Sequence, residues 1–312
     1  MEYNYLGSTG LKVSRLSFGA SSLGGVFRDV NEDDAIRSVH TALDLGINYF
    51  DVAPAYGATK SESVLGKALK GIPRSRYILS TKVGKYTSAD GYGEDTFDYS
   101  EKRIRASLEE SAERLGSDYF DIIHLHDIEY RDYQYTEWAL EEGLNTLHEL
   151  KSEGIIGAVS CGIYPMELWH RIFKNYAIDV ALTHNHYCLN DTRLLELLPL
   201  AAEKGIGIIN ASPFGSGLLT DRGPADWHPS NDEQRACFKR AAYFCREQGC
   251  NLSQLALQFS SQHPNIPTTL FSSANPDSVR RNVDWFEQPY DPELLRQIRE
   301  ILEPVINFQW PY

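Results

Sequence analysis

Eight short apolar segments recur along the 312 residues, and longer amphipathic segments separate them. Each apolar segment is rich in β-branched or aromatic residues and is bounded by glycine or polar residues, which predicts a buried strand. Strands joined by helices run parallel, and eight such units close into a barrel more readily than they extend as an open sheet. We therefore predict a single-domain (β/α)8 barrel, or TIM barrel, with the strands Val13–Gly19, Asn48–Val52, Tyr77–Val83, Phe120–His126, Ile155–Cys161, Val180–His184, Ile206–Ala211 and Ile266–Ser272.

The amphipathic segments predict the helices between the strands. Ser100–Leu115 is typical, since it opens on a serine suited to cap a helix and closes at Gly116. Two segments fall outside the alternation, a Gly/Pro-containing loop at 221–231 and a C-terminal tail at 303–312. We expect both near the mouth of the barrel. Other predicted helices are Asn31–Leu45, Ser61–Leu69 and Pro292–Leu302.

Composition limits the partners and the compartment. The formal net charge of -13 repels phosphate backbones and anionic lipid, so we expect no nucleic-acid or membrane partner. Five scattered cysteines without a C-x-x-C pair indicate reduced thiols in the cytoplasm and no zinc site. The charged N-terminus, and the lack of any apolar run near the roughly 20 residues of a membrane span, predict neither a secretory signal nor a span. The oligomeric state stays open.

Chemically active side chains stand at the ends of successive predicted strands. The second strand ends at Asp51 and is followed by Tyr56, the third ends at Lys82, and the fourth ends at His126. In such a barrel the active site is built where the strands finish. Each residue alone has a structural explanation, as a helix cap, one of 18 tyrosines, a solvated lysine or a core histidine. Together they predict one site.

These four residues suit proton transfer coupled to hydride transfer. A tyrosine hydroxyl has a pKa near ~10 and is a weak base at neutral pH. We expect Lys82 to lower the pKa of Tyr56, and Asp51 to keep the lysine charged and oriented. His126 can hydrogen-bond the oxygen of a substrate and fix its direction.

The motifs around these residues resemble those of the aldo-keto reductase family. The segment Gly46–Ala53 with Tyr56-Gly57 and Ser61-Glu62 is similar to the family's signature, and Ser80-Thr81-Lys82 and Asp121–His126 are similar to its next two blocks. The resemblance covers essentially the whole chain. It implies a (β/α)8 barrel, a nicotinamide cofactor, and a catalytic tetrad formed by Asp51, Tyr56, Lys82 and His126.

The resemblance also implies where the cofactor binds. Ser160 matches the serine that holds the nicotinamide carboxamide, whereas His184 replaces the usual glutamine of the sixth strand. The small residues after the seventh strand resemble a pyrophosphate loop, in which backbone N–H groups can approach an anion. The implied cofactor contacts are Gly19, Ala20, Ser21, Asp51, Ser160, His184, Ser212, Phe214, Ser216, Leu218, Ser272, Ser273, Ser278 and Asn282.

The end of the eighth strand predicts NAD rather than NADP. Family members that prefer NADP place a lysine and an arginine where this chain has Ser272 and Ser278. A 2′-phosphate without cationic partners would be poorly compensated. Arg280 and Arg281 lie close by in the sequence, and for both a position on the helix surface is an equally good explanation.

The segments His126–Glu129, 223–229 and 301–311 resemble the plant sugar dehydrogenases of this family that act on L-galactose. This implies NAD-dependent oxidation of an aldose at C1 to the lactone, L-galactose to L-galactono-1,4-lactone first, with L-fucose, another aldose or a pyridoxal-type alcohol as alternatives. An aromatic ring suits the C–H face of a sugar and a carboxylate suits its hydroxyls. The predicted sugar contacts are Tyr56, His126, Phe27, Asp127 and Trp310, and packing explains Trp310 equally well.

Two alternative hypotheses for the function remain. His124-x-His126 and His184-x-His186 each place two imidazoles on one face of a predicted strand, as a metal-dependent hydrolase on the same fold would require. Against a metal, no carboxylate ends the eighth strand and the nucleotide-like motifs would go unexplained. The second reading is a non-catalytic cofactor sensor or scaffold, which a complete tetrad argues against.

Overall fold

A computed structural model describes residues 1–26, 29–87, 95–226 and 228–311. Eight of its strands form a closed, all-parallel barrel in the order β3-β4-β5-β8-β9-β10-β11-β12. The predicted single-domain (β/α)8 barrel is therefore confirmed. In chain order the strands are β1 (Tyr3–Tyr5), β2 (Lys12–Ser14), β3 (Leu16–Gly19), β4 (Tyr49–Asp51), β5 (Ile78–Val83), β6 (Lys85–Thr87), β7 (Asp95–Phe97), β8 (Phe120–His126), β9 (Ile156–Ile163), β10 (Val180–His184), β11 (Gly207–Ala211) and β12 (Thr268–Ser272).

The helices pack around the barrel and begin where the sequence offers capping residues. The side chains of Asn31 and Ser100 accept hydrogen bonds from the backbone N–H of Asp34 and Arg103, as N-caps do. The helices are α1 (Glu32–Asp44), α2 (Lys60–Leu69), α3 (Glu101–Leu115), α4 (Thr136–Trp138), α5 (Leu144–Ser152), α6 (Met166–Asn175), α7 (Leu198–Lys204), α8 (Asp232–Glu247), α9 (Leu252–Ser261), α10 (Pro276–Phe286) and α11 (Pro292–Ile301).

The interior of the barrel is apolar at the N-terminal ends of its strands. The antiparallel pair β1–β2, the N-terminal hairpin, closes this end. Leu6 and Val13 of the hairpin region are fully buried and pack with Tyr49, Ile122 and other inward-facing strand residues. Because this end is filled, the polar residues at the strand ends face the opposite, C-terminal mouth. The larger part of the core lies between the strands and the helices.

The first predicted strand, Val13–Gly19, was wrong in its extent. Lys12–Ser14 pairs antiparallel with Tyr3–Tyr5, and the barrel strand starts only at Leu16. A second antiparallel pair, β6 with β7, follows β5 and was not predicted. Three-residue strands carry too little periodicity to be seen in a sequence, and their pairing depends on a partner elsewhere in the chain.

Candidate active site

Asp51 and Lys82 form a buried ion pair at the mouth of the barrel. Lys82 Nζ lies 2.5 Å from Asp51 Oδ2 and donates to the carbonyl of Val52 at 3.0 Å, and Ser80 Oγ donates to Asp51 Oδ1 at 2.7 Å. Burial alone would raise the pKa of Asp51, but Lys82 and His124 outweigh it and hold that pKa well below its usual value. Burial lowers the pKa of Lys82, and the Asp51 charge opposes that shift. Asp51 is thus held as a carboxylate.

Tyr56 and His126 lie beside this pair. The two rings meet edge to face with their centres 5.7 Å apart, and Lys82 Nζ lies 5.1 Å from the centre of the Tyr56 ring. The structure therefore brings the four predicted residues into one group. Burial lowers the pKa of His126 to about 3 despite the nearby charge of Asp127. The imidazole is neutral, as a group that hydrogen-bonds a neutral substrate oxygen should be.

The protonation of Tyr56 differs from the sequence-based expectation. Burial, followed by the charges of Asp51 and Asp127, raises the pKa of its hydroxyl well above the usual value. The lysine was expected to lower this pKa, but its charge is neutralised by Asp51 at 2.5 Å. The phenol accordingly keeps its proton at neutral pH in this structure.

His124 is a site residue whose position sequence analysis passed over in favour of His126. It lies two residues earlier on β8 and so shares the inward face, and it is cross-strand neighbour to both Lys82 and Ser160. Its Nδ1 is 2.7 Å from Ser160 Oγ, and its Nε2 faces Asp51 Oδ1 at 3.3 Å without the alignment of a hydrogen bond. The i, i+2 spacing did predict that both imidazoles share one face, but it was interpreted only as a possible metal site.

A second buried ion pair joins Lys85 and Asp127. Lys85 Nζ donates to Asp127 Oδ2 at 2.7 Å, and the same oxygen lies 3.7 Å from Nε2 of His126. Burial would raise the pKa of Asp127, but Lys85 and His126 lower it below the usual range. Asp127, a predicted sugar contact, therefore lies directly beside the tetrad, whereas Lys85 had not been predicted.

The loop after β11 is a tight turn of small residues. Ser212, Gly215, Ser216 and Gly217 all adopt positive φ, between 53° and 97°. Asn185 Nδ2 donates to Ser216 Oγ at 3.1 Å and ties the loop to the end of β10. The N–H groups of Gly215, Gly217 and Leu218 donate to carbonyls within the loop and so close a tight turn. Phe214 and Leu218, also predicted cofactor contacts, belong to this loop, with Leu218 buried and Phe214 partly buried.

The loops after β3 and β12 are linked through Ser272. Its hydroxyl accepts from the backbone N–H of Ser22 at 2.9 Å and from Ser21 Oγ at 3.1 Å. Gly19 and Ala20 therefore lie across from Ser272, since Gly19 is also its cross-strand neighbour. These predicted cofactor contacts form one continuous stretch of the rim.

Helix α10 begins directly after this rim. Ser273 Oγ accepts from the backbone N–H of Asn275, and the Asn275 side chain caps the helix at Ser278 N. Asn282 is buried one turn further on. Ser278 Oγ accepts from Arg281 Nη2 at 3.0 Å. A cation therefore does reach the position that the sequence suggested was without one.

Ser160 and His184 occupy the fifth and sixth barrel strands as predicted. Ser160 is fully buried, and its hydroxyl also donates to the carbonyl of Cys161. His184 ends β10 and is partly exposed, and burial lowers its pKa to about 4. Its ring lies 5.3 Å from that of Tyr164, which follows β9.

The tail packs against the loop that precedes α8. The backbone N–H of Trp310 donates to Tyr164 Oη at 3.0 Å, and the Trp310 ring meets His228 edge to face with centres 5.0 Å apart. Only 7% of Trp310 is exposed, so packing accounts for most of its surface. Phe27, another predicted sugar contact, lies outside the described residues.

The described ranges give no support to the metal-dependent hydrolase. They contain no group of three or more His, Cys, Asp or Glu side chains placed to hold a metal. His186 lies beyond the end of β10, where it contacts Asp191 and the Tyr164 carbonyl. The two imidazoles of the His184-x-His186 motif therefore do not share a strand.

Among the described residues, no helix has both the length and the apolarity needed to span a membrane.

Comparison with known proteins identifies the family. The model of the aldo/keto reductase family matches residues 15–303. The chain belongs to the aldo/keto reductase family. Aldo-keto reductases use nicotinamide cofactors. The loop after β11 and helix α10 follow two neighbouring strands, β11 and β12, and so lie side by side at the mouth of the barrel.

The relatives of the chain within this family include sugar dehydrogenases. The chain is 41% identical over 320 aligned residues to L-galactose dehydrogenase of Arabidopsis thaliana, covering 100% of this chain and 97% of that one. It is 31% identical to D-threo-aldose 1-dehydrogenase of a Pseudomonas species, over 89% and 91% of the two chains. An aldo-keto reductase from Bacillus halodurans, solved in its holo form, superposes with a TM-score of 0.80 at 28% identity over 99% of each chain.

Proposed function

We propose that this aldo-keto reductase oxidises an aldose at C1 to its lactone with NAD, and that L-galactose, giving L-galactono-1,4-lactone, is the first sugar to test. The full-length similarity to L-galactose dehydrogenase supports this substrate class. The similarity to D-threo-aldose 1-dehydrogenase supports a test of L-fucose and other aldoses in parallel.

Tyr56 is the proposed acid and base. In the oxidation the C1 hydroxyl gives its proton to the Tyr56 oxygen, the C1 hydride leaves with its electron pair, and C1 becomes the carbonyl carbon of the lactone. His126 holds the reacting oxygen as a neutral hydrogen-bonding group. Asp51 and Lys82 place a fixed charge pair beside the tyrosine. The nicotinamide cofactor, when bound, supplies the hydride acceptor.

The residues around the mouth fit a dinucleotide. The loop after β11 is the proposed pyrophosphate contact, because its small, left-handed residues let a ligand approach the backbone closely. The N-terminus of α10, eleven residues long, adds a positive dipole end close to the buried Asn282. We propose NAD over NADP because Ser272 uses its hydroxyl to join the two loops and carries no charge. Arg281 is the residue that would weaken this preference.

The residues around Tyr164 are the proposed border of the sugar site. Tyr164 contacts both His184 and the backbone of Trp310. These contacts support a position beside the mouth for the tail 303–312 and, through His228, for the loop 221–231. We propose that Asp127 binds sugar hydroxyls there, and that the exposed part of Trp310 contributes apolar surface. We also propose a cytoplasmic enzyme, because all five cysteines carry free thiols.

The single observation that carries this proposal is the buried Asp51–Lys82 pair, 2.5 Å long, beside Tyr56 and His126. The test is a panel of aldoses with NAD and with NADP, followed by nicotinamide absorbance and by identification of the lactone. We expect turnover of L-galactose or a close aldose, with the higher kcat/KM on NAD. Cofactor binding without turnover of any aldose, alcohol or aldehyde would contradict the proposal.

A further inference from the structure

Neither residue of the Lys85–Asp127 ion pair gives or takes a proton or hydride in the transfer described above, although the charge of Asp127 acts on Tyr56 in the same site. Lys85 stands at the start of β6 and Asp127 directly follows β8, so two strand ends bring the pair together at the mouth. Each residue is 8% exposed, which leaves a narrow edge of the pair open. Burying a Lys–Asp pair at this depth has a large desolvation cost, and a functional role would explain why the pair is present.

The backbone is turned to aim Asp127 at the site. Neighbouring residues of a strand point to opposite faces, so Asp127 would face away from His126 if β8 simply continued. Instead Asp127 adopts a left-handed conformation with φ of 49°, and its N–H donates to the carbonyl of Gly162 at 3.1 Å. Its carboxylate therefore lies 3.7 Å from the imidazole of the preceding residue.

Lys85 fixes the position and the charge of this carboxylate. Its Nζ donates to Asp127 Oδ2 at 2.7 Å and lies 3.9 Å from the centre of the Tyr130 ring. The ammonium thus contacts a carboxylate on one side and an aromatic face on the other. A substrate hydroxyl at the open edge would meet an acceptor, Asp127, and a donor, Lys85, close together.

We propose that Lys85 and Asp127 form a specificity-determining pair that recognises the hydroxyl on the carbon next to the reacting carbon. This inference rests on the proposed function. His126 contacts the reacting oxygen, and a carboxylate oxygen 3.7 Å from His126 Nε2 can reach an oxygen on the neighbouring carbon but not one at the far end of a sugar. The substrate class is therefore an α-hydroxy aldehyde or its cyclic aldose form.

The experiment crosses two substrates with two variants. The substrates are the aldose that the wild type oxidises fastest and the 2-deoxy form of that sugar, and the variants are Asp127→Asn and Lys85→Met. The wild type should prefer the hydroxylated sugar by about 10- to 100-fold in kcat/KM, which is the discrimination expected of a hydrogen bond to a charged group. In both variants we expect this ratio to fall towards one.

The chain offers a matched control. Lys151 and Asp179 form an ion pair of the same 2.7 Å length where β10 begins, at the opposite end of the barrel. Asp179→Asn and Lys151→Met should leave the substrate ratio at its wild-type value. Thermal unfolding of all four variants shows whether each is folded.

Each outcome decides the matter. If the wild type oxidises both sugars without preference, the proposed function stands and the specificity pair is rejected. If Asp127→Asn and Lys85→Met lower kcat/KM equally for both sugars, the pair is structural and the inference is rejected. If the wild type turns over no aldose at all, the proposed function fails and this inference fails with it.

Discussion

At the scale of single residues, the charges around Tyr56 set the direction of proton transfer. Burial, followed by the charges of Asp51 and Asp127, raises the pKa of the phenol, and Lys82 does not offset this because Asp51 balances its charge. A phenol that is protonated at neutral pH is in the form that the reduction of a carbonyl needs, although its raised pKa makes it a weaker acid. Oxidation needs the phenolate, and its population must therefore limit the rate at neutral pH.

The pH dependence of the two directions should accordingly differ. Because the pKa of Tyr56 is raised, the phenolate fraction grows about tenfold per pH unit below that pKa. We expect kcat/KM for oxidation to rise between pH 7 and pH 9, while kcat/KM for reduction stays nearly level. A plateau of the oxidation rate below pH 8 would show that the phenol titrates in the neutral range.

Tyr56→Phe removes the proton-transfer group and little else. We expect kcat to fall by a factor on the order of 10² to 10⁴, the usual contribution of general acid–base catalysis. Cofactor binding, measured by fluorescence titration, should change little because the ring is kept. Retention of most of the turnover would exclude Tyr56 as the acid and base.

Arg281→Gln tests the cofactor preference. The guanidinium donates to Ser278 Oγ and lies 5.2 Å from the centre of the Trp285 ring, so it is held near the place proposed for a 2′-phosphate. We expect kcat/KM with NADP to fall about tenfold, since a hydrogen bond to a charged group is lost, and kcat/KM with NAD to change less than about twofold. Arg280→Gln, on an exposed neighbour, is the control. Equal losses on both cofactors would contradict the assignment.

At the scale of elements, close backbone contact positions the loop that carries Tyr56. Gly57 has φ of 63°, and a Cβ there would come within 2.4 Å of the carbonyl oxygen of Gly24 in the loop after β3. Glycine is therefore required at position 57 for two reasons, the left-handed conformation and the close approach of the two backbones. Two neighbouring loops of the mouth are held together in this way.

Gly57→Ala should destabilise more than a matched change elsewhere. Gly71 also has positive φ, 82°, but a Cβ there has no atom within 4 Å among those described. We expect Gly71→Ala to cost about 1 kcal/mol from conformation alone, and Gly57→Ala a further 1–3 kcal/mol, roughly, because backbone must move. Urea unfolding measures both. Equal losses would mean that the loops separate without cost.

The elements also show what a sequence can reveal. Strand ends could be predicted because apolar runs stop at Asp51, Lys82 and His126, and the structure groups these side chains. The partners of Lys85 could not, since Asp127 lies 42 residues away and only the closed barrel brings the two together. The pKa of Tyr56 was predicted in the wrong direction because it depends on summed charges and burial rather than on one neighbour.

At the scale of the whole molecule, polar and apolar layers divide the barrel interior. The N-terminal hairpin closes an apolar floor around Leu6 and Tyr49, while charged pairs occupy the mouth above it. Glu129, three residues after the end of β8, is an exception among the charged residues, because it is fully buried and its Oε2 has no hydrogen bond among the described residues. Its Oε1 accepts from the Tyr164 N–H at 2.8 Å.

Glu129 should make the stability of the protein pH-dependent. Burial, followed by the charge of Asp127, raises its pKa to about 8. The folded state therefore binds a proton that the unfolded state releases near pH 4.5, so the contribution of Glu129 is complete below that pH and is lost as pH rises towards 8. We therefore expect the free energy of unfolding of Glu129→Gln, minus that of the wild type, to increase as the pH is raised from 5 to 8. Urea unfolding at both pH values measures this difference.

The matched control for this effect is Glu247→Gln, on the exposed surface of α8. Its stability relative to the wild type should be the same at both pH values, since an exposed carboxylate has a similar environment in the folded and unfolded chains. A Glu129→Gln variant that behaves like this control would show that Glu129 is ionised in the folded protein throughout.

The left-handed backbone at Asp127 restricts how the substrate range of this fold can evolve. Few residue types other than glycine, asparagine and aspartate adopt positive φ without strain, so most replacements at this position would distort the end of β8 and displace His126 as well. Changing the preferred sugar through this position is thus coupled to loss of catalysis. Lys85, on a separate strand, is free of that coupling, and a directed-evolution library would be expected to accept substitutions at 85 before those at 127.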